Sequence, residues 1–224
     1  MAAAFVQKKG AEIAIGFSTI TITPTSATTT VNANVIIIRT EGNAITSVAD
    51  GTNTYTSAGA TPGSPNPTMF SYYAKNITGT SANIVVTVVG TPNFAWGYFI
   101  EFSGIDTTAP LDVTNDKTGT GVTDIVSDAI TTAQTGAVVG GVSQPAFTTY
   151  TAGANYTLAD GAIGTGPYGG VEYRITSSAL SSEVQHITSG STAGYSFTVI
   201  ALKDSGGGAA ALSNPSTLTL MGVQ

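Results

Sequence analysis

The chain has 224 residues, no cysteine and a single histidine, and only 9% of its residues are charged, with a net charge of −6. It is long enough to bury a sizeable core, but the missing thiols exclude disulfides and cysteine-ligated metal sites. Seven scattered basic residues form no patch able to neutralise phosphates, so nucleic acid is not an expected partner.

In chain order, almost every apolar segment alternates with period two or is a short run rich in valine and isoleucine, and both patterns predict strands. The first strands are expected at Ala4–Gln7, Glu12–Phe17, Thr19–Thr23 and Asn34–Thr40. Apolar parity changes between Phe17 and Ile20, which calls for a bulge or tight turn near Ser18. Further strands are expected at Ile45–Ala49, Thr54–Ser57, Met69–Lys75, Asn83–Val89 and Phe94–Ser103, with Asp50-Gly51-Thr52-Asn53 as a hairpin turn. Thr61–Pro67, with three prolines, is a loop. Later strands are expected at Val122–Ser127, Ala137–Val142, Asn155–Leu158, Gly170–Thr176, Ser182–Ile187 and Tyr195–Lys203.

This pattern predicts an all-β chain, a jelly-roll-like β-sandwich over residues 1–203 with a C-terminal extended arm. The similar pieces TYTSAGA (Thr54–Ala60) and TYTAGA (Thr149–Ala154) are attributed to biased composition, and no repeat is assigned. Residues 204–224 open as a Gly/Ala linker and close on the alternating segment Ser216–Met221. In that arm Leu218, Leu220 and Met221 are candidates for docking on a neighbour's sheet edge. The start of the chain lacks the basic-then-apolar order of a secretory signal, and no run of 18 apolar residues occurs, so cytoplasmic synthesis and no membrane span are expected.

The chemistry of the side chains favours a binding or structural role. His186 lies in a plain strand pattern with no Gly-x-Ser-x-Gly nearby, so no nucleophilic triad is expected. In Phe94–Ser103, alternation places Trp96, Tyr98, Ile100 and Phe102 on one face and Glu101 on the other. Glu101 is therefore a poor glycosidase carboxylate, and a basic partner such as Arg39, Lys75 or Arg174 is expected to neutralise it. Asp106, Asp112, Asp116 and Asp124 lack EF-hand spacing; the run Asp106-Thr107-Thr108 reads as a turn. No catalytic residue, metal or cofactor is expected. Tyr150, Tyr156 and Tyr168, with Phe147, fall in a loop-rich region where tyrosine can meet a glycan or protein, or can plug the sandwich end.

Three motifs carry a resemblance: Val48–Tyr55 around the Asp50 hairpin, Tyr72-Tyr73-Ala74-Lys75-Asn76-Ile77, and Glu101–Asp112, with the closing Ala201-Leu202-Lys203. Together they resemble a Thr/Gly-rich β-sandwich domain of bacterial surface proteins and phage virion proteins. The resemblance implies a β-sandwich module that decorates surfaces, with no catalytic residues to carry over. The expectation is a non-enzymatic virion protein, a capsid decoration or cement protein. Its partners would be copies of itself, in a trimer on symmetry grounds, and other virion proteins, the major capsid protein first. The alternative is a carbohydrate-binding or adhesive module of a tail fibre or cell surface, whose partner would be a host-surface glycan.

Overall fold

A computed structural model describes residues 1–13, 16–62, 67–146, 148–160 and 168–206. It is all-β, and no helix occurs among the described residues. The first eight strands are β1 (Ala4–Glu12), β2 (Thr19–Ile22), β3 (Ala33–Thr40), β4 (Ile45–Ala49), β5 (Thr56–Ala60), β6 (Thr68–Ala74), β7 (Ile84–Val88) and β8 (Trp96–Ser103). They form a five-stranded sheet in the order β1-β8-β3-β6-β5 and a three-stranded sheet β2-β7-β4. The next eight are β9 (Leu111–Gly119), β10 (Asp124–Val126), β11 (Gly136–Ser143), β12 (Tyr150–Ala152), β13 (Thr157–Asp160), β14 (Gly169–Ile175), β15 (His186–Ser189) and β16 (Tyr195–Lys203).

The second set forms a five-stranded sheet β13-β14-β11-β16-β9 and a three-stranded sheet β10-β15-β12. Adding eight to each strand number of the first half, and reversing the direction of reading, reproduces the second. The chain is thus two topologically equivalent halves. This corrects the expectation that nothing repeats. The two similar words are out of step with the repeat, which lies in the register: Thr56 pairs with Tyr73, and Thr157 pairs with Tyr173. Tyr55 and Tyr156, one residue before those threonines, are therefore counterparts.

The sheets stack in four layers, three strands, five, five and three. The two five-stranded sheets face each other, β3 on β11, β6 on β16 and β5 on β9. Alternation explains why three cores result. Along β3, Ala33, Val35 and Ile37 turn to the other half, whereas Ile36 and Ile38 turn to β2-β7-β4. Along β8, Trp96, Tyr98, Ile100 and Phe102 enter the shared central core with Val139, Val171, Ile200 and Leu202. Each large side chain buried there contributes about 2–3 kcal/mol. Glycines admit the closest approaches: a Cβ on Gly169 would strike the Trp96 ring, and one on Gly141 would strike Ile37.

Several local expectations are corrected. Of the expected strand Glu12–Phe17, Glu12 closes β1 and Gly16 turns the chain at φ 88°, while residues 14 and 15 lie outside the described residues. Phe17, which follows that turn, is 61% exposed and so does not belong to the buried row of Ile20 and Ile22. The acidic stretch after Asp106 contains a nine-residue strand, β9, paired with β16. The Asp50 turn forms as expected, with Gly51 at φ 79° and Asp50 accepting the N–H groups of Thr52 and Asn53 at 2.9 and 2.7 Å. Burial pushes the Asp50 carboxyl up, but these bonds and the Asn53 side chain outweigh it and hold the group below its usual range.

Candidate functional site: a polar cleft on the second half

Glu101 faces away from the aromatic row, as its parity requires, and is fully buried between β8 and the outer sheet. The expected basic partner is absent from its side. Its carboxylate instead accepts Gln7 Nε2 at 2.6 Å, Thr29 N–H at 2.7 Å and Asn32 Nδ2 at 2.6 Å. Neutral amides satisfy a buried acid because each supplies a directed N–H without a second charge to desolvate. The proposed cations go elsewhere. Arg39 donates to Ser143 Oγ and to the Phe94 carbonyl, Lys75 reaches the Thr108 carbonyl, and Arg174 pairs with Glu183. The Glu101 cage ties down the turn that holds Val31 at φ 65°, a costly conformation for a β-branched residue. It is a structural site.

The four aspartates once grouped by sequence are also dispersed. Asp106 accepts Ala109 N–H and Thr108 N–H, which hold its carboxyl below the usual range. Asp112 accepts Ala133 N–H at 2.9 Å. Asp116 lies between the halves, against Gly59, where burial raises its carboxyl. Asp124 approaches His186 Nδ1 at 3.1 Å.

That last pair opens onto a surface cleft of about 480 Å³. Strands β10 and β15 supply Asp124, His186 and Thr188; the segment before β15 supplies Glu183; the loop from β12 to β13 supplies Asn155 and Tyr156. The loop is shaped by Asn155 at φ 68° and by Tyr156 N–H bonding the Gly153 carbonyl at 3.1 Å. Asparagine tolerates this left-handed conformation. Arg174 Nη1 meets Glu183 Oε1 at 2.8 Å and stacks over the Tyr156 ring at 5.8 Å. His186 is half exposed, as a strand-surface histidine should be.

Behind the loop sits Glu172 on β14, with no solvent exposure. One oxygen accepts Gly153 N–H at 2.9 Å, and the other has no hydrogen-bond partner. Burial pushes its carboxyl up to about 7, against the pull of Gly153 and of the nearby Gln185 amide. Gln185 is equally buried, and neither of its amide atoms reaches hydrogen-bond geometry. The amide lies over Gly140, where any Cβ would collide with it.

The three candidate tyrosines have three different positions. Tyr150 is 5% exposed and belongs to the core between the second half's sheets. Tyr168 packs on Phe94, at 4.6 Å between ring centres, and on Arg39. Arg39 is itself lowered to about 10 by burial, with Glu41 opposing. Both tyrosine rings, Tyr150 and Tyr168, are packed against other side chains of the body. Only Tyr156 lines the cleft. Phe147, Leu218, Leu220 and Met221 lie outside the described residues. Sequence reasoning missed Asp124, Asn155 and Glu172 as one neighbourhood, because folding brings them together from three distant segments. No family model, curated protein or solved structure matches the chain.

Proposed function

We propose that the chain is a non-enzymatic structural protein of a bacteriophage virion, a decoration or cement protein that docks on the major capsid protein. The supporting observation is the outer face of the first half. In β2-β7-β4 the inward side chains are Ile20, Ile22, Ile84, Val86 and Val88. Alternation leaves Thr19, Thr87 and Ser47 in one outward row and Thr21, Val85 and Ala49 in the next. Neither row carries a charge or a proline. Phe17 and Val89, 61% and 54% exposed, stand at the end of the same layer.

Free sheets guard themselves with charge, proline and bulges. The long edge strands β1 and β9 do carry lysines and acids, whereas β2, β4 and β5 have none. An uncharged β face with uncharged edge strands suits a partner's surface. The strand pairing, first with eighth, second with seventh and third with sixth, supports our reading of each half as a jelly roll. Gly206, the last described residue, lies beside Met1, and the proposed docking residues Leu218, Leu220 and Met221 lie beyond it in the sequence.

Cryo-electron microscopy of the native particle tests this reading. The expected result is density for the four-layer body with β2-β7-β4 against the shell, lost in a Thr87→Arg variant that still folds. A protein absent from particles, or attached through another face and indifferent to Thr87→Arg, overturns it.

A further inference from the structure

The two halves share a strand plan, so each serves as a control for the other. Gly140 and Glu172 pair with each other in the second half, and Ile36 and Tyr72 hold the matching registers in the first. The match is fixed by Tyr73 and Tyr173, each opposite its threonine. In the first half this place is apolar: Ile36 packs with Ile20, Ile22, Ile84, Val86 and Phe99, and Tyr72 lies against them. In the second it holds a glycine, an acid and an amide with unpaired atoms.

Such a cluster costs stability that an isoleucine would not. Breaks in consistency of this kind concentrate at working sites. Glu172 has one hydrogen bond, to Gly153, and Gly153 is part of the cleft wall. The buried carboxyl therefore positions the loop that carries Asn155 and Tyr156. The tyrosines differ in the same sense. Tyr55 OH is tied between Asn34 Nδ2 and Asp50 at 3.0 and 3.2 Å, whereas its counterpart Tyr156 faces a cleft.

The lining also selects a kind of ligand. Its acids already have bases, Asp124 with His186 and Glu183 with Arg174, so an added ion would have to displace one of them. What remains is a set of directed donors and acceptors beside a half-buried aromatic ring, in a volume suited to a small organic molecule. We propose that this cleft binds a neutral polyhydroxylated ligand, one sugar residue of a glycan, with Asp124, Asn155 and His186 bonding its hydroxyls and Tyr156 packing on its ring face. This adds recognition at one end of the stack to docking at the other, and it holds wherever in a particle the protein sits.

The test uses the full chain and three free sugars: glucose, galactose and N-acetylglucosamine. Amide chemical shifts are followed during each titration, with ammonium chloride and sodium phosphate as separate controls. Saturable shifts confined to Asp124 and residues 152–156 and 183–188 with one sugar, nearly independent of salt, are expected. Asp124→Ala and Asn155→Ala should each weaken binding about tenfold, the scale of one lost hydrogen bond to a charged or well-oriented group. Both residues are exposed, and unchanged near-ultraviolet circular dichroism would show that the variants fold. The proposal is overturned if no sugar gives a saturable shift, if ammonium or phosphate alone reproduces the shifts, or if both variants bind like the parent.

Discussion

Replacing Glu172 by glutamine should change how stability depends on pH. The carboxyl titrates near 4.5 when exposed and is pushed up to about 7 in the fold by burial. The folded state therefore holds a proton that the unfolded state releases between those values. Stability contributed by this group is fully present below about pH 4.5 and is lost as pH rises through 7. The gap corresponds to about 3 kcal/mol. For a chain of this size that is roughly 6–12 °C in melting temperature. Glutamine keeps the shape of the neutral acid and can accept Gly153 N–H, but it cannot ionise. Thermal or urea midpoints of both proteins, taken from about pH 4 to pH 8.5, measure the effect. The difference should be small in acid and should grow in favour of Glu172→Gln until it levels above pH 7. Parallel profiles would refute the reasoning, because they would mean that the buried carboxyl is solvated or paired in a way its surroundings do not show.

Glu101→Gln should act in the opposite sense. One of the three N–H donors around that carboxylate would then face an NH2 group, at a cost of about 2–4 kcal/mol in urea denaturation at neutral pH. Gly141→Ala should cost about 1–3 kcal/mol, because its Cβ would strike Ile37 and lie 3.1 Å from Met69 Cε. Since both halves share the central core, that loss should appear in one cooperative transition seen alike by Trp96 fluorescence and far-ultraviolet circular dichroism. Two separate transitions would show that the halves unfold independently.

The fold class was legible because alternation is a local property. Trp96, Tyr98, Ile100 and Phe102 on one face and Glu101 on the other could be read residue by residue. What partners those faces meet is not local. The acid's ligands come from Gln7 and Asn32, amides that nothing in their own neighbourhoods marks out. Strand β9 was hidden by Asp112, Asn115, Asp116 and Lys117, which look like loop residues until β16 pairs with them. The duplication was invisible for a similar reason: the halves share pairing and register, while their core residues differ in size and polarity. One signal for the cleft was available in the sequence. Glu172 stands between Val171 and Tyr173 in Gly169–Ile175, with Arg174 on the same face, where an alternating strand leaves an acid either on the surface or in an arranged place.

The face-to-face stacking of the two large sheets also governs how the chain must come into being. A ribosome that has delivered β1 to β8 has made a complete strand plan whose inner face, with Val35, Ile37, Ile100 and Phe102, still has nothing to cover it. It must wait about a hundred residues more, the length of a second half. During that interval the natural substitute is the same face of another nascent chain, so crowded synthesis favours premature pairing. Completion of β16 ends the exposure. The last described turn then brings Ser205 Oγ within 3.2 Å of the Met1 carbonyl, a contact between the two halves that can form only when translation of both is done.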